Sequence, residues 1–381
     1  MITARALNRS TLARQLLLDR KPLTAADAVR RVVALQAQQP ASPYLALWNR
    51  LSGFDPAGLD AAVAGHRAVR STLMRITLHM VHAEDYRVFR EAMEPTLRAS
   101  RLGDSRFTAS GLTTADAHAL IPGLLEYTGR PRSAAEARGR IEELLGAPVE
   151  PAAWRMLRQY APLWHAPTGG PWSFGTQQSY VAAGTPPELA DPDAPVAGLR
   201  TLIRRYLEGF GPASVADMAQ FALVQRARVR AAVQSLAAEL EQLEGPDGTV
   251  LYDIPGAPRP AEDTPAPPRL MAMWDSILLA YADRGRVIPP AYRKLVTRVN
   301  GDVLPTLLVD GYVAGVWRPV DGGIEATAFH PLPEHVWRGL ATEAGSLTRF
   351  LADREDTVYR RYGHWWTKGL PAAETRLLRG D

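Results

Sequence analysis

Apolar positions along the 381-residue chain fall into helical stripes interrupted by short alternating runs. Thr24 with Asp27 three residues on makes a capping-box-like start, and Val29, Val32, Val33 and Leu35 supply the stripe behind it. Pro40 closes that predicted helix, and Gln39, preceding a proline, is pushed toward extended geometry. Ser42 and Pro43 restart a helix through Leu51, and a short helix follows near Leu59 to Gly65. From Ser71 to Val81 the period drops to two. Met74, Ile76, Leu78 and Met80 fall on one face and Arg75, Thr77 and His79 on the other, which predicts a half-buried strand. Helix resumes near Ala83.

The same grammar returns twice without a strict period. Ser133 and Glu136 form a capping box ahead of Ile141, Leu144 and Leu145. A helix near Pro151 to Ala161 follows, and then Leu163 to Phe174, broken by Thr168-Gly169-Gly170-Pro171, predicts a hairpin or wing. In the third group a helix over Leu199 to Phe210 is broken by Gly211 and Pro212, and Ser214 with Asp217 caps a short helix. The stripe Val229, Val233, Leu236, Leu240 and Leu243 predicts a long helix over Gln225 to Leu243. A tight turn at Gly245 to Gly248 then leads into a strand over Thr249 to Ile254. Helix, turn, helix and two-stranded hairpin is the winged-helix plan. Proline-rich Pro255 to Pro268 reads as a linker. Strand signals over Thr306 to Trp317, around the turn Asp310-Gly311, and a helix near Pro333 to Ala352 predict a mixed α+β end that packs back on the rest. The expected fold is α+β: winged-helix units at 1–110, 111–190 and 191–256, then an α+β region at 268–381.

Composition narrows the function. Hydrophobic residues at 46% and charged residues at 22% suit a folded chain rather than a disordered one. No run approaches the length of a bilayer span, and Met1 to Leu18 lacks the apolar core of a secretory signal, so a cytoplasmic protein with no membrane partner is expected. Cysteine is absent, which excludes thiolate nucleophiles, disulfides and Cys-ligated metals. Net charge is +4, and of 44 basic residues only Lys21, Lys294 and Lys368 are lysine. Abundant arginine and alanine together are what GC-rich coding gives. Chemistry that needs a lysine amine has three candidates.

Winged helices lay a helix in the DNA major groove and a hairpin on the adjacent backbone. Arg155, Arg158, Arg226, Arg228 and Arg230 sit where such helices would present cations to DNA. Arg75, Thr77 and His79, on one predicted strand face, either line a pocket, bind phosphate or make ordinary hydrogen bonds of a wing strand. His79 and His82 would face opposite sides of a strand and no HExxH spacing occurs, so no metal is expected. Asp275 and Asp283 read as partners of arginines such as Arg284 and Arg286, or else as a catalytic carboxylate. Neither a GxGxxG nor a Walker A run is present, so no nucleotide cofactor is expected. Gln36 and Gln38 lie two apart: in a helix they would diverge, whereas in extended chain they share a side. Spacing alone better suits polar residues in a turn before proline.

Leu35-Gln36-Ala37-Gln38-Gln39-Pro40, Tyr44 to Trp48 and Arg75-Ile76-Thr77-Leu78-His79 resemble the winged-helix DNA glycosylase family of the azinomycin-resistance (AlkZ/YcaQ-like) type. So do Gly211 to Asp217 and Trp274 to Tyr281 with Asp283-Arg284 and Arg286-Val287, so that the resemblance spans nearly the whole chain. It implies three tandem winged-helix motifs in a C-shaped arrangement with a β-containing C-terminal region. It implies excision of bulky or crosslinked N7-alkylated purines from double-stranded DNA, with Gln36 and Gln38 as the catalytic pair. One branch of the family carries aspartate at the second position, and Gln38 places this chain with the antibiotic-resistance branch. A monofunctional glycosylase acting as a monomer is expected, its substrate restricted to lesions already charged. The alternative is a non-catalytic winged-helix regulator, although a regulator usually carries one such unit and dimerises on a palindrome.

Overall fold

The computed structural model describes residues 1–379. One order of elements occurs three times. The first set is helix Ala25–Arg31, strand Leu35–Gln36, helices Ala41–Arg50 and Pro56–Ala64, then a hairpin of Ala68–Thr72 and Leu78–His82. The second is helix Thr114–Tyr127, strand Arg132–Ser133, helices Ala134–Leu145 and Pro151–Tyr160, then a hairpin of Leu163–Ala166 and Ser179–Ala182. The third is helix Ala194–Phe210, an isolated bridge at Ala213, helices Val215–Ala222 and Arg226–Ser235, then a hairpin of Glu241–Glu244 and Val250–Asp253. In each set the short segment before the second helix pairs antiparallel with the hairpin: Gln36 with His79, Arg132 with Tyr180, Ala213 with Tyr252. Helix Ala83–Arg101 runs from the first set into the second and packs along Ala194–Phe210.

Local sequence accounts for these boundaries. Ser133 and Ser214 each accept from the backbone N–H three residues on, and Glu136 and Asp217 accept from the N–H of the capping residue, so two free backbone donors at the start of each helix are satisfied at once. In Pro151–Tyr160 the buried Ala153, Trp154, Met156, Leu157 and Tyr160 occupy one side while Arg155 stays exposed. The C-terminal region is a five-stranded antiparallel sheet, ordered Glu374–Leu378, Gly323–Ala328, Tyr312–Val320, Thr306–Val309 and Arg269–Leu270, with helix Glu334–Ala352 packed on it. Among the described residues, no helix is long and apolar enough to cross a membrane.

Helix Ala4–Arg14 holds the parts together with its polar side chains. Asn8, Arg9, Thr11, Arg14 and Gln15 are all fully buried. Arg14 forks onto Asp253 at 2.6 and 2.8 Å and donates to the Leu207 carbonyl at 2.8 Å. Asn8 donates to the carbonyls of Arg286 and Gly311, Arg9 to those of Thr264 and Asp310, and Gln15 to that of Gly209. These partners belong to the third set, the C-terminal region and, at Thr264, the stretch that joins them. A buried charge that loses its counter-charge is far costlier than the pair is favourable, so each fork fixes relative position more than it adds stability.

Several expectations are corrected. Ser71 to Val81 is not one strand: Met74–Ile76 is a one-turn 3-10 helix at the hairpin tip, with Arg75 and Ile76 in left-handed conformation. The alternation survived through the turn because Met74 is fully buried there. Arg75 and Thr77 thus lie in the turn, and only His79 is on the strand. The helix begun at Thr24 stops at Arg31, not at Pro40, because Val33 turns left-handed (φ 74) and leads into strand. The helix expected to reach Leu243 stops at Ser235, and Glu241–Glu244 is instead the pairing partner of Val250–Asp253. Leu163–Ala166 pairs with Ser179–Ala182, farther along than Phe174, because Trp172 and Phe174 are buried within the intervening loop. The stretch Pro255 to Pro268 is irregular but tied down, since Arg14 donates to the Pro258 carbonyl and Arg259 pairs with Glu241.

Asp275 grips Arg50, not Arg284 or Arg286, through two 2.8 Å hydrogen bonds with both side chains fully buried. Asp283 caps the turn at Gly285. Replacing Asp275 by alanine strands the Arg50 guanidinium, and we expect a loss of about 3–5 kcal/mol. Urea unfolding followed by tryptophan fluorescence checks this; an unmoved midpoint would contradict it.

Candidate active site

The strand Leu35–Gln36 adds to the hairpin edge through Gln36 opposite His79, and the Ala37 N–H continues the ladder to the Leu78 carbonyl at 2.8 Å. Gln36 is therefore carried on the strand itself, and Gln38 on the bend that follows it. Their environments differ. Gln36 is 5% exposed, whereas Gln38 is exposed at the edge of a cleft of about 470 Å³. Gln39, Pro40, Arg70, His165 and the loop from Thr168 to Gln178 continue the lining. That loop is the connection within the second hairpin, so the first and second sets of elements meet at the cleft.

Both amides are held in one orientation. Gln36 Oε1 accepts from Arg75 Nη2 at 2.7 Å, and Gln38 Oε1 accepts from the Leu78 N–H at 2.9 Å. A guanidinium and a backbone N–H only donate, so each amide must present its oxygen to them. Each oxygen keeps a second lone pair.

Arg75 is the junction. Besides Gln36 it donates to the Phe221 carbonyl at 3.0 Å, at the C-terminal end of a helix of the third set, and to His79 Nε2 at 3.0 Å. Helix C-termini expose free carbonyls and favour cations. Because Arg75 can only donate, His79 Nε2 accepts, and the ring proton sits on Nδ1 facing the Thr77 carbonyl at 3.1 Å. Arg75 is half-buried, and desolvation of its guanidinium pushes the pKa down to about 9, with Arg284 adding to the effect. Arg70 donates through Nε to the Ala37 carbonyl at 3.0 Å and stacks over Phe174 at 4.7 Å; burial pushes it down to about 10. Among the described residues neither arginine has a carboxylate partner.

The structure thus brings Gln36, Arg75 and His79 together, with Gln38 and the turn residue Thr77 beside them. His79 is fully buried with both ring nitrogens engaged inside, which removes it as a direct DNA contact. Thr77 donates to the Met74 carbonyl and serves the turn. Arg155, Arg226 and Arg230 are exposed, and Arg228 is half-buried on the same helix as the latter two. Arg158 is bonded to Gln178 and Tyr180 rather than free. Sequence reasoning missed Arg70 and the Thr168 to Gln178 loop. Arg70 has no motif around it, and only the strand pairing puts it against Ala37.

Residues 29–350 match the family described as DNA glycosylase AlkZ-like. The match covers most of the chain, and the protein belongs to that family of DNA glycosylases. The Interstrand DNA cross-link repair glycosylase of Streptomyces sahachiroi is 26% identical over 362 residues, covering 89% of this chain and 94% of that protein. The solved structure of Streptomyces sahachiroi DNA glycosylase AlkZ has the same fold, with a TM-score of 0.76 at 22% identity over 91% of this chain and 96% of that one.

His79 and His165 are both held well below the ordinary 6.5, first by burial and then by neighbouring arginines, Arg75 for one and Arg70 with Arg158 for the other. Unfolding exposes both rings, so below pH 6.5 the unfolded chain takes up protons that the folded chain refuses. The stability this contributes is complete above pH 6.5 and declines as pH falls below it. We expect unfolding at pH 5.5 to be accompanied by proton uptake on both rings, and His79→Asn to remove one of the two contributions. Denaturant midpoints from pH 5 to 8 measure this, and flat midpoints would contradict it.

Proposed function

We propose that the protein is a monofunctional DNA glycosylase that hydrolyses the N-glycosidic bond of bulky or crosslinked N7-alkylated purines, with Gln36 and Gln38 as its catalytic pair. The observation that carries this reading is the pair of amides, each locked by an obligate donor, with Gln38 at the edge of a polar cleft and Gln36 buried two residues before it. The cross-link named for the Streptomyces relative supports the substrate class, and self-resistance to an azinomycin-type alkylating natural product is the role that goes with it. In this reading the three repeated sets of elements are winged helices, at 1–110, 111–190 and 191–256, arranged in a C around duplex DNA, with 268–381 as a supporting α+β region. The protein acts as a cytoplasmic monomer. A non-catalytic regulator is disfavoured by membership of a glycosylase family.

The chemistry asks little of an acid or a base. An N7-alkylated guanine already carries positive charge. When its C1′–N9 bond breaks, the electron pair goes to N9 and a neutral base departs. The charge passes to C1′ and O4′ of the sugar. Water adds at C1′ and releases a proton to solvent once the C–O bond has formed. Glutamine does not titrate, but the spare lone pair on each amide oxygen can accept from that water or face the developing sugar cation. Gln38, at the cleft edge, meets the water; Gln36, clamped by Arg75, sets the direction. A preorganised dipole of this kind is worth a few kcal/mol. An unactivated adenine or uracil would need more. None of the three lysines lines the cleft, so no Schiff base with the sugar forms there.

Gln36→Ala and Gln38→Ala should each slow single-turnover release of N7-methylguanine by about 10²–10³-fold. Affinity for the same duplex should change only a few-fold, because phosphate contacts dominate it. Parallel loss of binding and excision would mean that the pair is structural. Affinity should also fall linearly in a plot of log K against log salt, and a flat response would contradict phosphate-dominated binding.

A further inference from the structure

Arg70 is a buried cation of the cleft for which the proposed chemistry finds no use. Its side chain is 8% exposed and lines the cleft, and among the described residues it has no carboxylate partner. Nε is spent on the Ala37 carbonyl and one face lies on Phe174, while the terminal nitrogens have no hydrogen-bond partner among the described residues. A buried guanidinium without a counter-charge is costly, and such a group is retained where a ligand completes it. The rest of the lining adds one arginine, one neutral histidine and one carboxylate. Arg361 stands exposed at the rim, and His165 is kept neutral. The lone carboxylate of the lining, Glu355, is occupied by the Trp172 indole N–H.

We infer that this cleft is a phosphodiester-binding subsite in which the terminal nitrogens of Arg70 grip one backbone phosphate of the strand carrying the lesion. The inference rests on the glycosylase reading for its ligand. A cationic purine is repelled by Arg70, so the cleft takes backbone rather than base. The guanidinium geometry matches two phosphate oxygens at once. Phosphate contacts set register without reading sequence. Here the register is short, because Arg70 is bonded to the carbonyl between the two glutamines. A phosphate held there places the neighbouring deoxyribose against Gln38. Arg70 is therefore a positioning residue, and the lesion is recognised by where the backbone is gripped as well as by the base.

The test replaces single phosphates around a site-specific N7-methylguanine by uncharged methylphosphonates and measures affinity of the full chain. Wild type should weaken about ten-fold or more at one position near the lesion, the scale of a lost charge-assisted bond. Arg70→Gln should bind the unmodified duplex about as weakly and show no further loss at that position. Arg70→Lys, which keeps the charge but loses the fork, should fall between the two. Excision by Arg70→Gln should slow with a salt slope shallower by about one phosphate. If every methylphosphonate position weakens wild type and Arg70→Gln alike, or if no position stands out for wild type, the subsite is wrong. The methylphosphonate outcomes read binding alone, so they stand apart from whether the glutamines perform the chemistry. Thermal unfolding of Arg70→Gln and Arg70→Lys separates a loss of fold, and the wild-type interference pattern needs no variant.

Discussion

Two arginines that have no carboxylate partner among the described residues hold the Gln36-Ala37-Gln38 segment at two points, and the site depends on that arrangement. Arg75 fastens the Gln36 amide oxygen and Arg70 fastens the Ala37 carbonyl. Pairing either with aspartate would cancel the charge and draw the guanidinium away from its carbonyl. Leaving them unpaired costs stability and keeps a positive field around a short extended segment. That field suits a polyanionic ligand. It also explains why His79 must be neutral: only an imidazole nitrogen free to accept can share the Arg75 N–H.

The clamp works only if three parts of the chain stay in place. Arg75 reaches the Phe221 carbonyl at a helix end in the third set, and Ser71 donates to the Leu163 carbonyl in the second. Relative position is in turn set by the first helix, whose Arg14 and Asn8 tie the third set and the C-terminal region to one rigid element. Gly311 shows how closely these parts approach. A Cβ there would lie 2.3 Å from Asn8 Oδ1, and its backbone is left-handed at φ +83, so only glycine fits. The chain therefore uses buried polar bonds to set geometry in places where apolar packing alone would tolerate sliding.

Much of this was legible in the sequence, and the limits have physical causes. Capping boxes at Ser133 and Ser214 marked helix starts correctly because the cap is local chemistry. Periodicity failed where tertiary burial imitated it. Met74 and Ile76 alternate like a strand while forming a turn, and Leu236, Leu240 and Leu243 continue a helical stripe beyond a helix that ends at Ser235. Gln36 and Gln38 stood out through resemblance rather than spacing. Arg70 stayed hidden because a lone arginine on a strand carries no sign of whether it will meet an aspartate, solvent or a carbonyl. Asp275 was misassigned for the same reason, since its partner Arg50 lies 225 residues away.

The account stands on two neutral amides directing water onto a sugar whose leaving base is already charged. It is met most directly by a crystal structure of the protein on duplex DNA that carries a cationic pyrrolidine sugar mimic at the lesion position. The account predicts the mimic's ring nitrogen about 3 Å from Gln38 Oε1 or from one water held by the pair. A sugar mimic seated away from both amides, with Gln36 and Gln38 unchanged and facing protein, would contradict it.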